Sequence, residues 1–537
     1  MNDIKVLDVT LRDGGCVNNF NFGKVYMEKL LAAEEKSGID IIELGYIDDR
    51  LGSCHERTQY INERVIKETI LVNKQASITY VAMIDYGKYD FKVLEKRTLD
   101  GIDGIRLAFH KKDWKKAIMA GKTILEKGYS LYVQPMVTLR YDKEELLEMI
   151  SAVNTELPET AAFYIVDSFG EMYANELINI LKLVDTHLAK HISIGFHSHN
   201  NLQMSYSNAI VMLQFQTSRT LILDSSIMGM GKGAGNLNTE LLLEHLNLFY
   251  QKDYNLTPLL AVMDEVVNQI HSEFYWGYAP EFYLSSINHC TPSYASYFYD
   301  RHMLPIDQVS ELLGMIAEEK KISFDQVYAE NLYHRYNAEK AVDDQTVVEE
   351  IQKELYKKSI LLIAPGKSII AAKEEIQSKC KEDNVVSIGL NVLNGFDTDY
   401  VLTTREETYR QALEENRNVI VASNLSKGGR GNVKVLDYER WIEVDEEIHD
   451  SSVVIMLNLL HFCHVKEIMM AGFDGFSVDI NANYYDVSMR HPVKESQAKK
   501  RNDYYRKLIQ SIRDKGLTIH FLTESKYESL GDKRGSV

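Results

Sequence analysis

Three side chains far apart in a 537-residue chain, Asp13, His197 and His199, together carry the donors that a divalent cation needs. One carboxylate and two imidazoles suit manganese, magnesium, cobalt or zinc, and three protein ligands leave coordination positions open for substrate or water. Arg12 stands beside Asp13, and Glu43 lies in the next apolar run. Buried, these charges must satisfy one another, because an isolated buried charge costs several kcal/mol. A His-x-His pair alone also reads as a structural pair, so the assignment depends on elements that bring residue 13 to residues 197 and 199.

Those elements are legible as alternation. Eight β-rich runs, Lys5 to Leu11, Ile39 to Tyr46, Ser77 to Met83, Gly104 to Phe109, Ser130 to Val137, Ala162 to Asp167, Ser193 to His197 and Leu221 to Asp224, alternate with helical-period segments. Eight βα units in about 250 residues predict a TIM (β/α)8 barrel, whose active sites lie at the C-terminal rim of the strands. Successive strand residues face opposite sides. With Leu7, Val9 and Leu11 taken as the outer set, Asp8, Thr10 and Arg12 point inward and Asp13 sits at the rim. Taking Ile42, Leu44 and Tyr46 as outer turns Glu43 inward; taking Ile192, Ile194 and Phe196 as outer gives His197 and His199 one inner face. Asp167 and Asp224 close their strands at the same rim.

Four stretches in this order, LDVTLRDGG at 7–15, IIELGY at 41–46, GFHSHNNLQMSYSNA at 195–209 and DSSIMGMGKGAGN at 224–236, carry a family likeness. The chain resembles the metal-dependent aldolase and lyase superfamily named for its Asp-Arg-Glu triad on a TIM barrel, which includes 4-hydroxy-2-oxovalerate aldolase, HMG-CoA lyase and isopropylmalate synthase. The resemblance implies Asp13, His197 and His199 as metal ligands, Asn236 as a fourth, Arg12 as the enolate-stabilising cation and Glu43 as an orienting carboxylate. Asn200-Asn201-Leu202 with Asn208 looks like the 4-hydroxy-2-oxo acid aldolase version. PSYASYF at 292–298 resembles the aldolase segment that sends a tyrosine, here Tyr294, toward the site. Three residues after the ligand aspartate those aldolases carry a histidine base, and here Cys16 stands there; Cys16, His289 and Tyr294 are therefore the candidates for proton transfer. The implied reaction makes or breaks a C–C bond of a 4-hydroxy-2-oxo acid, pairing a pyruvate enolate with an aldehyde. A non-catalytic barrel scaffold, with activity in the C-terminal domain, is the alternative that the absent histidine motivates. A CoA-ester lyase is disfavoured because residues 225–235 contain no cysteine.

The GMGKGAG loop at 229–235, with Lys232, reads either as a nest of amides for phosphate or as a mobile loop. Beyond the barrel domain of residues 1–255, a helical appendix at 256–345 is expected to complete the active site or form a subunit contact. A charged linker at 340–358 then leads into a second, Rossmann-like α/β domain at 359–537. Its strands are expected near Leu361–Ala364, Val385–Leu390, Tyr400–Thr403, Val419–Ala422, Ser452–Leu457, Glu467–Ala471 and Leu517–Leu522. LLIAPGKSI at 361–369 lacks the glycine spacing of a Walker A loop, since Leu361 occupies the place of the first glycine. A weak resemblance to bacterial sialyltransferases and pterin pyrophosphokinase-like proteins implies phosphate or sugar contacts from Gly366, Lys367, Ser368 and Asn391. It would place the fusion in surface-polysaccharide synthesis.

Sixty Lys+Arg against 78 Asp+Glu give a net charge of -18, a field that repels nucleic acid. Five cysteines without a CxxC suggest neither a disulfide framework nor a zinc knuckle. The N-terminus has no signal-peptide pattern, and no apolar run is long enough for a membrane span. The sequence thus predicts a cytoplasmic, soluble homo-oligomer acting on small molecules.

Overall fold

The computed structural model describes residues 3–50, 55–301, 304, 306–426, 431–442, 451–479, 481–486, 489, 493 and 495–528. They form two units, one of residues 1–295 and 317–323, the other of residues 296–316 and 324–537. The helical segment expected at 256–345 contributes residues to both.

The first unit is a closed parallel barrel. Its strands are β1 (Ile4–Asp8), β2 (Ile41–Ile47), β4 (Thr79–Asp85), β5 (Gly104–Phe109), β6 (Ser130–Pro135), β7 (Ala162–Asp167), β8 (Ser193–Ser198) and β9 (Leu221–Ser225), with the two-residue β3 (Gln59–Tyr60) added beside β2. Pairing runs β1-β9-β8-β7-β6-β5-β4-β2, and a β1–β2 pairing closes the ring. The βα alternation holds except between β4 and β5, where a 3-10 turn at Phe91–Val93 stands in for a helix. Leu7, Val9, Ile41, Val81, Tyr132, Ala162, Tyr164, Val166 and Ile222 fill the interior. The alternate residues Val6, Ile42, Leu44, Ala82, Ile84, Ile105, Leu107, Phe163, Ile165, Ile194, Phe196 and Leu223 pack outward in the larger core with the helices.

Three expectations of facing are overturned. In β1, Leu7 and Val9 face the interior, so Asp8 faces outward. There it accepts from Thr10 N (2.7 Å) and Thr239 Oγ1 (2.6 Å). Both faces of a barrel strand are buried, so an alternation of apolar and polar residues fixes the two sets without saying which is inside. In β2 a register shift between Glu43 and Tyr46 moves Tyr46 off the outer face, and Ile47 takes the outer place. Gly45 makes this bulge possible: its φ is +144° and a Cβ would lie 2.1 Å from Thr58 O. Asp167 follows Phe163 and Ile165 outward and accepts from Glu171 N (2.9 Å) and Met172 N (3.1 Å), which makes it an anchor for the following loop.

The second unit holds a seven-stranded parallel sheet: β10 (Ser359–Ile363), β11 (Val385–Leu390), β12 (Tyr400–Thr403), β13 (Val419–Ala422), β14 (Val433–Leu436), β15 (Glu467–Ala471) and β16 (Thr518–Phe521). The order β14-β13-β12-β11-β10-β15-β16 starts in the middle and reverses between β10 and β15, as a doubly wound Rossmann-like sheet does. The strand expected at Ser452–Leu457 is instead part of a helix, Ser452–Phe462, capped by Ser451 accepting from Val454 N at 3.2 Å. Its run of valine and isoleucine reads as a strand, but a helix that is apolar nearly all round is what a buried position favours. The edge strand β14 was not expected from the sequence. Among the described residues no helix is long and apolar enough to cross a membrane.

Candidate metal centre

The turn after β1 delivers the first donors. Val9 O accepts from Arg12 N (3.1 Å), Asp13 N (2.8 Å) and Gly14 N (3.3 Å), folding residues 10–14 tightly over the strand end. Arg12 and Asp13 therefore reach the barrel mouth from a turn, and strand parity does not place them. Arg12 is held on two sides, Nη1 donating to Asp13 Oδ1 at 2.6 Å and Nε to Glu43 Oε2 at 2.7 Å. Its Nη2 is buried with no partner among the described residues.

The imidazoles come from β8. His197 faces inward, and the β8–β9 register sets it beside Asp224, whose Oδ2 lies 3.0 Å from His197 Nδ1. His199 Nδ1 lies 3.2 Å from Lys232 O, which leaves Nε2 toward Asp13 Oδ2 at 3.9 Å. The two rings meet edge to face with centroids 5.3 Å apart. One donor atom each from Asp13, His197 and His199 lie within 4.8 Å of one another, and all three residues are buried. An antiparallel bridge to His199 brings in Asn236. Its Nδ2 donates to Asp13 Oδ2 (2.7 Å) and Met230 O (3.0 Å), and its Oδ1 is buried without a partner among the described residues. Gly231 leaves room for this contact, since a Cβ there would lie 2.2 Å from Asn236 Nδ2 and 2.7 Å from Asp13 Oδ2.

The electrostatics favour cation binding. Burial acts to raise the Asp13 carboxyl, but the Arg12 guanidinium and the two imidazoles outweigh it and hold Asp13 below the usual carboxylate range. Burial pushes His199 down to about 4, so its ring is neutral at pH 7 and offers a lone pair. The orphaned Asn236 Oδ1 and the carboxylate–imidazole set together fit a divalent cation. Lys232 O, fixing the His199 tautomer, is the kind of outer support that metal-ligating histidines use.

Sequence reasoning missed Arg106. It faces inward from β5 and is fully buried, donating Nη1 to Glu43 Oε2 at 2.6 Å and Nη2 to Asp224, with its guanidinium carbon 4.8 Å from the Tyr164 ring centre. The hydrogen-bonding pattern assigns the Gln134 amide oxygen to Arg106 Nη2 and Nε, at 3.0 and 3.1 Å. A chain of alternating charge, Asp13, Arg12, Glu43, Arg106 and Asp224, thus runs under the mouth to His197. The signal was available, because Arg106 alternates with Ile105, Leu107 and Phe109.

Other candidates land elsewhere. Desolvation, with the Asp13 and Asp85 charges adding to it, pushes the Cys16 thiol up to about 12, which counts against its serving as the base. Tyr294 is fully buried and donates to Ser323 O at 3.2 Å. The His289 side chain is 60% exposed and its Nδ1 lies 2.7 Å from Glu171 Oε2, which ties it to the rim loop after β7. In the GMGKGAG loop Ala234 N donates to Asn201 Oδ1 (2.8 Å) and Gly235 N to Lys232 O (3.1 Å), and just beyond it Asn236 N donates to Gly229 O (2.9 Å), which ties the C-terminal end of the loop into the first unit. Lys232 Nζ donates to Thr291 Oγ1 at 3.2 Å. In the second unit the turn expected to receive phosphate already holds an anion. Ser368 N (2.8 Å) and Ser368 Oγ both donate to Asp474, and a Cβ on Gly366 would meet Asp474 Oδ1 at 2.5 Å. A carboxylate in that place repels a phosphate, which counts against the role expected of Gly366, Lys367 and Ser368. Asn391 Oδ1 accepts from Thr403 Oγ1 (2.7 Å) and Thr404 N (3.1 Å).

Residues 3–266 match the HMGL-like family model. The chain is similar to the 4-hydroxy-2-oxovalerate aldolase of Bacillus thuringiensis (strain Al Hakam), 27% identical over 267 residues, 49% of this chain and 76% of that protein. It is also similar to the enzyme of the same name from Geobacillus genomosp. 3, 26% identical over 246 residues, 45% of this chain and 70% of that protein. Among solved structures it is similar to the N-terminal domain of a protein described as an aldolase from Bacteroides vulgatus. That match has 26% identity and a TM-score of 0.48, over 57% of this chain and 99% of that one.

Proposed function

The barrel of residues 3–266 belongs to the HMGL-like family, within the Asp-Arg-Glu TIM-barrel aldolase and lyase superfamily, and on that premise we propose that it is a divalent-metal-dependent aldolase acting on 4-hydroxy-2-oxo acids. The observation that carries the reading is the cluster of Asp13, His197 and His199, with the Asn236 Oδ1 left as an orphan acceptor beside it. These four residues hold the cation, with manganese or magnesium the first choices. The bound cation supplies Lewis acidity to the carboxylate and 2-oxo group of the substrate. Arg12 turns its unpartnered Nη2 to the 2-oxo oxygen and stabilises the negative charge that develops as the C3–C4 bond breaks. Glu43 fixes Arg12 through Nε and takes a second anchor from Arg106, so the guanidinium is aimed before substrate arrives. The products are a pyruvate enolate and an aldehyde, and the same groups run the reverse addition. The intact, buried set of charged groups supports this reading over a scaffold barrel.

The test is pyruvate release from a panel of 4-hydroxy-2-oxo acids with added Mn2+, followed by coupling to lactate dehydrogenase. Turnover that disappears on chelation is expected. No turnover across the panel, with no Mn2+ bound by elemental analysis, overturns the proposal.

A further inference from the structure

Carbon–carbon cleavage of a 4-hydroxy-2-oxo acid needs an acceptor for the proton of the C4 hydroxyl, and the pairings described so far leave that role open. Asp85 closes β4 on the face opposite Tyr80, Ala82 and Ile84, which pack outward, so it points into the barrel mouth. It is 9% exposed. Lys88 Nζ donates to its Oδ2 at 2.5 Å, while Oδ1 is buried with no partner among the described residues. A buried carboxylate oxygen left without a donor carries an uncompensated desolvation cost, which a ligand hydroxyl would relieve.

Its place in the mouth is fixed by its neighbours. Lys88 Nζ lies 5.8 Å from the centre of the Tyr46 ring, and Arg12 Cζ lies 5.8 Å from the same centre. The Asp85–Lys88 pair and the Arg12 guanidinium therefore border one and the same aromatic ring. β4 pairs directly with β2, which carries Glu43 and Tyr46. The hydroxyl-bearing C4 of a bound 2-oxo acid is two carbons from the 2-oxo carbon. His110, whose Nδ1 is also buried and unpartnered among the described residues, follows β5 and so lies one strand further from Arg12.

We propose that Asp85 is the catalytic base of the aldol reaction, taking the C4 hydroxyl proton on Oδ1 while Lys88 holds Oδ2. The electron pair of the O–H bond becomes the second bond of the aldehyde carbonyl. The C3–C4 pair becomes the C2–C3 double bond of the enolate, and the 2-oxo π pair becomes the oxygen charge facing Arg12. The proton then passes from Asp85 to C3 of the enolate, which yields pyruvate and restores the carboxylate. No oxidant or second reactant is required.

This inference rests on the aldolase reading, and oxaloacetate separates the two. Loss of CO2 from oxaloacetate gives the same enolate, yet there is no C4 hydroxyl proton to remove. In the full chain loaded with Mn2+, Asp85→Asn is expected to lower cleavage of the 4-hydroxy-2-oxo acid that the native protein turns over best by ~100-fold, the usual scale of a lost general base. Oxaloacetate decarboxylation should fall less than about tenfold, and Mn2+ affinity by isothermal titration should be unchanged. Cleavage within tenfold of native, an equal loss of both reactions, or a cleavage-specific loss in His110→Ala that Asp85→Asn does not share each overturns the assignment. A native protein that cleaves no hydroxy acid of the panel, whether or not it decarboxylates oxaloacetate, removes the aldolase reading and Asp85's role with it; a native protein that does cleave, with Asp85→Asn giving one of the overturning results above, removes the role alone.

Discussion

At Arg106 two carboxylates that the barrel cannot leave bare, Glu43 and Asp224, share one guanidinium with no exposure to solvent. Removing one partner of such a set strands the others in low dielectric. Arg106→Leu is expected to destabilise the barrel by about 3–5 kcal/mol, read as a shift in the urea midpoint. An effect below ~1 kcal/mol would mean that the carboxylates are solvated or paired otherwise. His199 belongs to the same scale. With its Nε2 removed, His199→Ala should lose Mn2+ binding as measured by elemental analysis after gel filtration, and full stoichiometry in the variant would contradict the ligand set. Both residues could be found by the same rule of alternation along a strand. That rule places His197, Glu43 and Arg106, but it has nothing to say about Arg12 and Asp13, which a turn positions.

The element scale shows why the inner and outer faces of β1 were misread. Asp8 and Glu34, the latter on the helix Lys24–Ser37, meet between strand and helix as two buried acids. Burial first, then the Asp8 charge, raises Glu34 well above its ordinary value of 4.5. A raised carboxyl stabilises the fold fully below its unfolded value near 4.5, and that contribution is lost as pH rises through the folded value. Glu34→Gln cannot ionise. Its melting temperature relative to native should therefore rise between pH 5 and pH 8, and a difference independent of pH would show that Glu34 is not protonated in the fold. From sequence, LDVTL promises an alternation of five residues; that its polar set packs outward against a helix acid depends on Glu34 and Thr239, which are distant in the chain. The helix Ser452–Phe462 teaches the complementary point, since local preference for extended backbone yields where the surroundings are apolar on all sides.

At the scale of the whole molecule, two units with separate cores and separate sheets should melt as two transitions when each unfolds cooperatively. The metal residues all belong to the first. At a Mn2+ concentration of about 100 Kd, linkage adds about 2.7 kcal/mol to whichever unit binds it. Calorimetry of the full chain should show one transition moving up and the other unmoved. A shift of both, or of neither, would contradict a site confined to the barrel.

The eight strands of the closed barrel, six of the seven strands of the second sheet and the candidates for binding a cation could be read from the chain alone. Periodicity and residue chemistry are local properties that survive without coordinates. The tertiary structure decided what depends on partners remote in sequence: which face of β1 is inside, the Gly45 bulge that turns Tyr46 toward Arg12, the desolvation that pushes the Cys16 thiol up, and the Asp474 carboxylate that fills the turn at Ser368. Each of these is set by what a side chain meets across the fold, and desolvation and pairing have no value until that neighbour is known.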